Sequence, residues 1–199
     1  QSDNRSGTYL TNLIDTANNA TNVGDVTYYA NIGGRGSYYL PYGQSGLNNA
    51  SVILPDVLTS NPSNELTSFT FSIYYYTTAD TLQEYTRILG SSHGKDQSGG
   101  HIRSINIGLS SRNGGVGDPG IAIYPKSGGG IDKSGTTPYN TWHHMCVTHD
   151  GTTTILYLNG VNIGSSTSTL TMVEPLLLGA YYNNGNYSHI AGFYFDAVH

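Results

Sequence analysis

The chain is 199 residues long and carries 8 Lys and Arg against 13 Asp and Glu, a formal charge of −5, with 26 Gly, 17 Tyr, one Cys and one Trp. That length fits one domain, the 37% hydrophobic content is enough to build a core, and the acidic, charge-poor balance lacks the cationic field that neutralises phosphates, which excludes nucleic acid as a partner. No apolar run approaches the ~18 residues a helical bilayer crossing needs, so membrane insertion of that kind is excluded too, and the lone Cys146 rules out an internal disulfide. The start at Gln1, with the polar stretch QSDNRSG and no Met, points to a processed product or an excised piece.

Short alternating segments separated by Gly, Asn, Ser and Asp predict strands throughout, at 8–14, 26–32, 51–54, 68–77, 86–90, 102–111, 120–125, 141–150, 153–159, 161–164, 174–179 and 189–198. The fold class is therefore all-β, and strands of this length and spacing suit a two-sheet antiparallel jelly-roll sandwich over the whole of 1–199. In 69–73 the apolar residues Phe69, Phe71 and Ile73 alternate; extending that phase buries Tyr75 and leaves Tyr74 and Tyr76 on the opposite face. Asn159-Gly160 between two alternating runs signals a hairpin, because both residues tolerate positive φ. The glycine-rich stretches 91–100, 113–120 and 127–135 precede no helix and carry no Gly-Lys-Ser/Thr ending, so they read as rim loops rather than phosphate cradles.

From Thr141 the row reads TWHHMCVTHDGTTTILYLNGVNIGSS and later PLLLGAYYNNGNYSHIAGFYFDAV. Trp142, His143, His144, Asp150, Gly151, Tyr157, Asn159, Gly160, Leu176, Leu178, Gly179, Gly192 and Asp196 fall where LamG-like domains of the concanavalin A-like lectin and glucanase superfamily carry their motifs, and the chain resembles that family. The resemblance implies a sandwich whose first and last strands pair, and a role in binding. It also implies a structural Ca²⁺ near the junction of those strands, for which Asp15 and Asp196 are the candidate metal ligands; such a cation requires six to eight oxygens. Some relatives are glycosidases, which need two carboxylates flanking the scissile bond. This chain has three glutamates, Glu65, Glu84 and Glu174, no two acidic residues two apart on one strand face, and no Glu-x-Asp-x-x-Glu, so it reads as non-catalytic. His143 and His149 share a strand face at ~20 Å, too far apart for one zinc ion, and His144 with Cys146 supplies only two ligands; the resemblance implies that Trp142, His143 and His144 serve strand packing and hydrogen bonding.

Tyrosine outnumbers Lys and Arg together, and a ring with a polar tip suits recognition of sugars or proteins. The loop 181–187 interleaves Tyr181, Tyr182 and Tyr187 with Asn183, Asn184 and Asn186, matching the alternating CH face and hydroxyl rim of a sugar. His93, Lys95 and Asp96 of the loop 91–100 would add polar contacts if brought to the same rim. The expectation is a non-catalytic recognition module, extracellular or on a virion surface, for a glycan or cell-surface receptor. A second expectation is a structural subunit of a virion or extracellular filament, with Tyr-rich surfaces packing against neighbouring copies or other virion and filament proteins.

Overall fold

The computed structural model describes residues 9–10, 20–23, 26–41, 51–54, 65–66, 68–79, 86–90, 92–93, 106–109, 121–124, 130–133, 136–167, 172–173, 176–183, 186–188 and 192–198. Every regular element among them is a strand. In chain order these are β1 (Tyr9–Leu10), β2 (Ala20–Val23), β3 (Thr27–Ile32), β4 (Arg35–Leu40), β5 (Ser51–Ile53), β6 (Glu65–Leu66), β7 (Phe69–Tyr76), β8 (Thr86–Gly90), β9 (Ser92–His93) and β10 (Asn106–Leu109). There follow β11 (Ile121–Tyr124), β12 (Ile131–Lys133), β13 (Trp142–His149), β14 (Thr153–Leu158), β15 (Val161–Thr167), β16 (Met172–Val173), β17 (Leu177–Leu178), β18 (Tyr181–Asn183), β19 (Asn186–Ser188) and β20 (Phe193–Val198). Two antiparallel sheets form the sandwich. One has the order β1-β2-β5-β17-β8-β10-β11-β12, the other β15-β14-β13-β7-β20-β4-β3.

Period-two alternation decides which side chains lie between the sheets. β7 buries Phe71, Ile73 and Tyr75, and its neighbour β13 buries His143, Met145, Val147 and His149 in register with them. β20 adds Phe193 and Phe195, and β4 adds Tyr38 and Leu40. Val52, Ile88, Leu89, Ile107, Leu109, Ile123 and Leu178 come from the facing sheet and join the same cluster. Each fully buried large side chain contributes about 1.5–3 kcal/mol by leaving water. Tyr75 falls on the inner face and Tyr74 and Tyr76 on the outer one, as the alternation predicts.

The turns follow local chemistry. Asn159 and Gly160 hold φ of 51° and 82°, which fits the expected two-residue hairpin between β14 and β15. Asn159 also accepts a bond from the His144 amide at 2.9 Å, while its Nδ2 donates towards His143 Nδ1 at 3.4 Å. His143 Nε2 lies 3.0 Å from the Pro138 carbonyl, so the imidazole is held at both ring nitrogens. His149 bonds Thr154 across the β13–β14 pair. These two histidines are therefore packed and hydrogen-bonded inside the sandwich.

The expected pairing of first and last strands is not seen among the described residues: β1 pairs β2 in the eight-stranded sheet, whereas β20 lies in the other sheet between β7 and β4. A second difference is the segment from Arg35 to Leu40, which lay outside the expected strands and forms β4. The turn before it is Gly33-Gly34, at φ 55° and 86°, a conformation that glycine takes without penalty.

Candidate functional site

The strand order β13-β7-β20-β4-β3 brings one aromatic from each strand to the outer face of the seven-stranded sheet. Trp142 of β13 meets Tyr76 of β7 at 5.6 Å between ring centroids, and Tyr76 meets Tyr194 of β20 at 5.9 Å, edge to face. Tyr194 lies 4.6 Å from Tyr39 of β4 and 5.5 Å from Tyr29 of β3, with Tyr29 to Tyr39 at 6.1 Å. Five rings thus run across five strands at spacings favourable for aromatic pairs. A second row runs on the inner phase, from Tyr28 to Tyr38 to Phe195 to Phe193. Tyr38, Phe195 and Phe193 of the inner row belong to the core, while Tyr28 at its end is exposed; the outer row is half-exposed, and Tyr29 has 39% of its surface open.

Burial raises the pKa of the Tyr39 phenol, with further increments from Tyr194 and Tyr29; the Tyr194 phenol is raised by burial, then by Tyr29 and Tyr76. Around neutral pH these tips carry their protons, so each can donate and accept a hydrogen bond.

One turn further along the strands stands a charged group. The Arg35 guanidinium lies 4.2 Å from the centroid of Tyr74 and 5.7 Å from that of Trp142, a cation–π arrangement. Arg35 Nε is 3.5 Å from Asp196 Oδ2. His144 stacks on Tyr74 at 4.6 Å. The β3–β4 hairpin reaches this place because its turn bends over the sheet: Trp142 Nε1 donates to the Ile32 carbonyl at 2.7 Å, and a methyl added at Gly33 would come within 2.9 Å of Trp142 Nε1 and 3.2 Å of Tyr76 Cε2. A register shift between Tyr29 and Ile32 supplies the bend.

The residues expected from sequence to bind ligand lie elsewhere. Tyr181, Tyr182 and Asn183 form β18, and Asn186 and Tyr187 belong to β19, so the segment read as a loop is a hairpin, with Tyr182 opposite Tyr187 and Asn183 opposite Asn186. His93 is brought to it, since β9 pairs β18 in parallel with His93 beside Asn183 and Ser92 beside Tyr182. This small sheet packs by β8 and β17, on the eight-stranded side. Asn184, Lys95 and Asp96 lie outside the described residues. So does Asp15 of the expected calcium pair, while Asp196 faces Arg35. Among the described residues, no three His, Cys, Asp or Glu side chains gather as metal ligands. Cys146 is partly buried, which pushes its thiol pKa up and makes it a poor nucleophile.

Sequence reasoning sent Tyr74 and Tyr76 to the outer face but missed Trp142, Tyr39, Tyr194, Tyr29 and Arg35 as their neighbours. The local signal for part of this was present: Gly33-Gly34 between Tyr28-Tyr29 and Tyr38-Tyr39 is a two-residue hairpin pattern.

Comparison with solved structures finds the same fold at low identity. Domain 4 of AbnA, a GH43 extracellular arabinanase from Geobacillus stearothermophilus in complex with arabinotriose, aligns over 89% of this chain and 81% of its own, with 17% identity and a TM-score of 0.52. A mutant sialidase of Trypanosoma rangeli displaying trans-sialidase activity aligns over 97% of this chain with a TM-score of 0.65 and 11% identity, though this chain spans only 28% of it. The CBM40 of a Ruminococcus gnavus IT-sialidase, bound to α2,3 sialyllactose, aligns over 80% of this chain and 88% of its own, with 13% identity and a TM-score of 0.51. Among curated proteins no significantly similar sequence was found. The family model Laminin_G_3 matches residues 46–197, about three quarters of the chain. With that match and a two-sheet, all-strand sandwich, the chain belongs to the concanavalin A-like lectin/glucanases superfamily.

Proposed function

We propose that the protein is a non-catalytic recognition module that binds a glycan or a glycan-bearing surface receptor through the outer face of its seven-stranded sheet. The observation that carries this reading is the row Trp142, Tyr76, Tyr194, Tyr39 and Tyr29: the half-exposed rings offer apolar faces for sugar CH groups, and the four tyrosine hydroxyls offer hydrogen bonds for sugar hydroxyls. Relatives of this fold described in complex with arabinotriose and sialyllactose are in keeping with it. The hairpin Tyr181 to Ser188 with Ser92–His93 is a second surface of similar composition, and its Tyr182 and Tyr187 serve as the comparison. A panel of immobilised oligosaccharides is probed with the wild type, with Tyr39→Ala/Tyr194→Ala and with Tyr182→Ala/Tyr187→Ala. Loss of roughly 1–3 kcal/mol of binding in the first double variant, with the second unchanged, is expected. Loss in the second alone moves the site to the hairpin, and no binding by the folded wild type contradicts a glycan role.

One observation favours assembly as a second reading. Among the described residues no strand lies beyond β3, whose six residues carry no charge and expose Tyr28 and Tyr29 at 39% each. Concentration-dependent growth of the mass in solution, lost on introducing a lysine at Tyr28, would support it.

A further inference from the structure

We infer that Asp196 sets the charge class of the ligand: the face accepts neutral saccharides and rejects carboxylated ones. This rests on the recognition reading above and deepens it. The Arg35 side chain is 39% exposed and Asp196 only 15%, so the guanidinium is the outward member of the pair and the carboxylate stands behind it at 3.5 Å. Arg35 is held there from two sides, by the Tyr74 and Trp142 rings and by Asp196. The guanidinium is exposed enough for an incoming hydroxyl to accept a bond from it without breaking its contact with Asp196. An incoming carboxylate gains from Arg35 but meets the negative charge of Asp196 a few ångströms further in, and the two terms oppose one another at similar distances. To take the guanidinium for itself, it must pull Arg35 off both Asp196 and the rings and so lose both contacts. The formal charge of −5 adds a weaker, longer-range repulsion in the same direction.

Asp196 has no other part in ligand contact under this account; it is a positioning residue that acts through Arg35. Replacing it by Asn keeps the shape and an acceptor oxygen for Arg35 while removing the charge. The guanidinium then becomes an uncompensated cation on an aromatic floor, the arrangement that binds a carboxylate by charge-assisted hydrogen bonds.

The test uses matched probes: neutral oligosaccharides, and the same oligosaccharides capped with sialic acid or oxidised to the uronic acid, offered to wild type, Asp196→Asn, Arg35→Gln and Trp142→Ala, each first checked by thermal melt. The wild type should bind neutral members and discriminate against their acidic partners. Asp196→Asn should raise affinity for the acidic members by roughly 10-fold or more, the worth of one hydrogen bond to a charged group. Arg35→Gln should weaken neutral binding with no gain for acids, which keeps the inference testable if Asp196→Asn does not fold. Wild type that binds acidic members as well as neutral ones, or Asp196→Asn that gains nothing, overturns the role of Asp196 while leaving the binding face intact. Wild type that binds no probe, or binds equally well as Trp142→Ala, overturns the face and the inference with it.

Discussion

Gly33 and Gly34 differ in what surrounds them, although both sit in the left-handed region. A methyl at Gly34 would meet nothing within 4 Å, whereas one at Gly33 would collide with Trp142 and Tyr76. Gly34→Ala should therefore cost only backbone strain, about 1–2 kcal/mol, and Gly33→Ala clearly more, with the hairpin turn lifted from the Trp142 ring; denaturant melts of the two variants measure the difference. The phenols next to them set a pH dependence. Tyr39 has its pKa raised by burial and then by Tyr194 and Tyr29, Tyr194 by burial and then by Tyr29 and Tyr76, and burial within the sandwich raises Tyr75 further. A raised folded pKa means the folded chain holds protons that the unfolded chain releases, so their contribution to stability is complete below the ordinary phenol range and is lost as pH rises through it. Spectroscopic titration should show the accessible tyrosines ionising first and these three ionising late or only on unfolding; ionisation of all tyrosines together in the folded protein would contradict their placement.

At the scale of elements, the Asn159-Gly160 turn is where local chemistry and structure agree most closely. With open space around Gly160, Gly160→Ala tests the positive φ alone and should lower stability by about 1–2 kcal/mol without altering ligand binding. β7, β8, β13 and β14 were legible for the same kind of reason: their alternation, or for β8 its apolar Ile88-Leu89 pair, is carried in consecutive residues. β4 was not, because Arg35-Gly36-Ser37 reads as loop composition until it is placed between β3 and β20, where its Tyr38 and Leu40 go inward. The hairpin of β18 and β19 was hidden likewise by Asn-Asn-Gly-Asn, and its three-residue strands are too short to show a period. Of the proposed face, the outward phase of Tyr74 and Tyr76 could be read ahead. Tyr29 and Tyr39 meet across the β3–β4 hairpin, but Trp142, Tyr76 and Tyr194 lie far from them and from one another in the chain and become neighbours through strand order, which is a property of non-local pairing.

On the scale of the whole molecule, the two sheets of the sandwich carry different elements. The eight-stranded side carries the small sheet of β9, β18 and β19. The seven-stranded side carries the row of rings that ends on Trp142, with Arg35 clasped to Asp196 beside it. The inner row of Tyr38, Phe195 and Phe193 welds the same strands to the core, so rings on the outer row can be truncated singly while the core that holds their strands stays intact. That Trp142 is the chain's one tryptophan makes the central claim directly measurable, because all indole fluorescence comes from the proposed face. Titrating the wild type with a neutral oligosaccharide that it binds should change the intensity or wavelength of that emission saturably, with the midpoint equal to the dissociation constant measured by calorimetry. Saturable calorimetric binding with the tryptophan emission unmoved, and still unmoved while binding is abolished by Tyr182→Ala/Tyr187→Ala, would place the ligand on the other side of the sandwich.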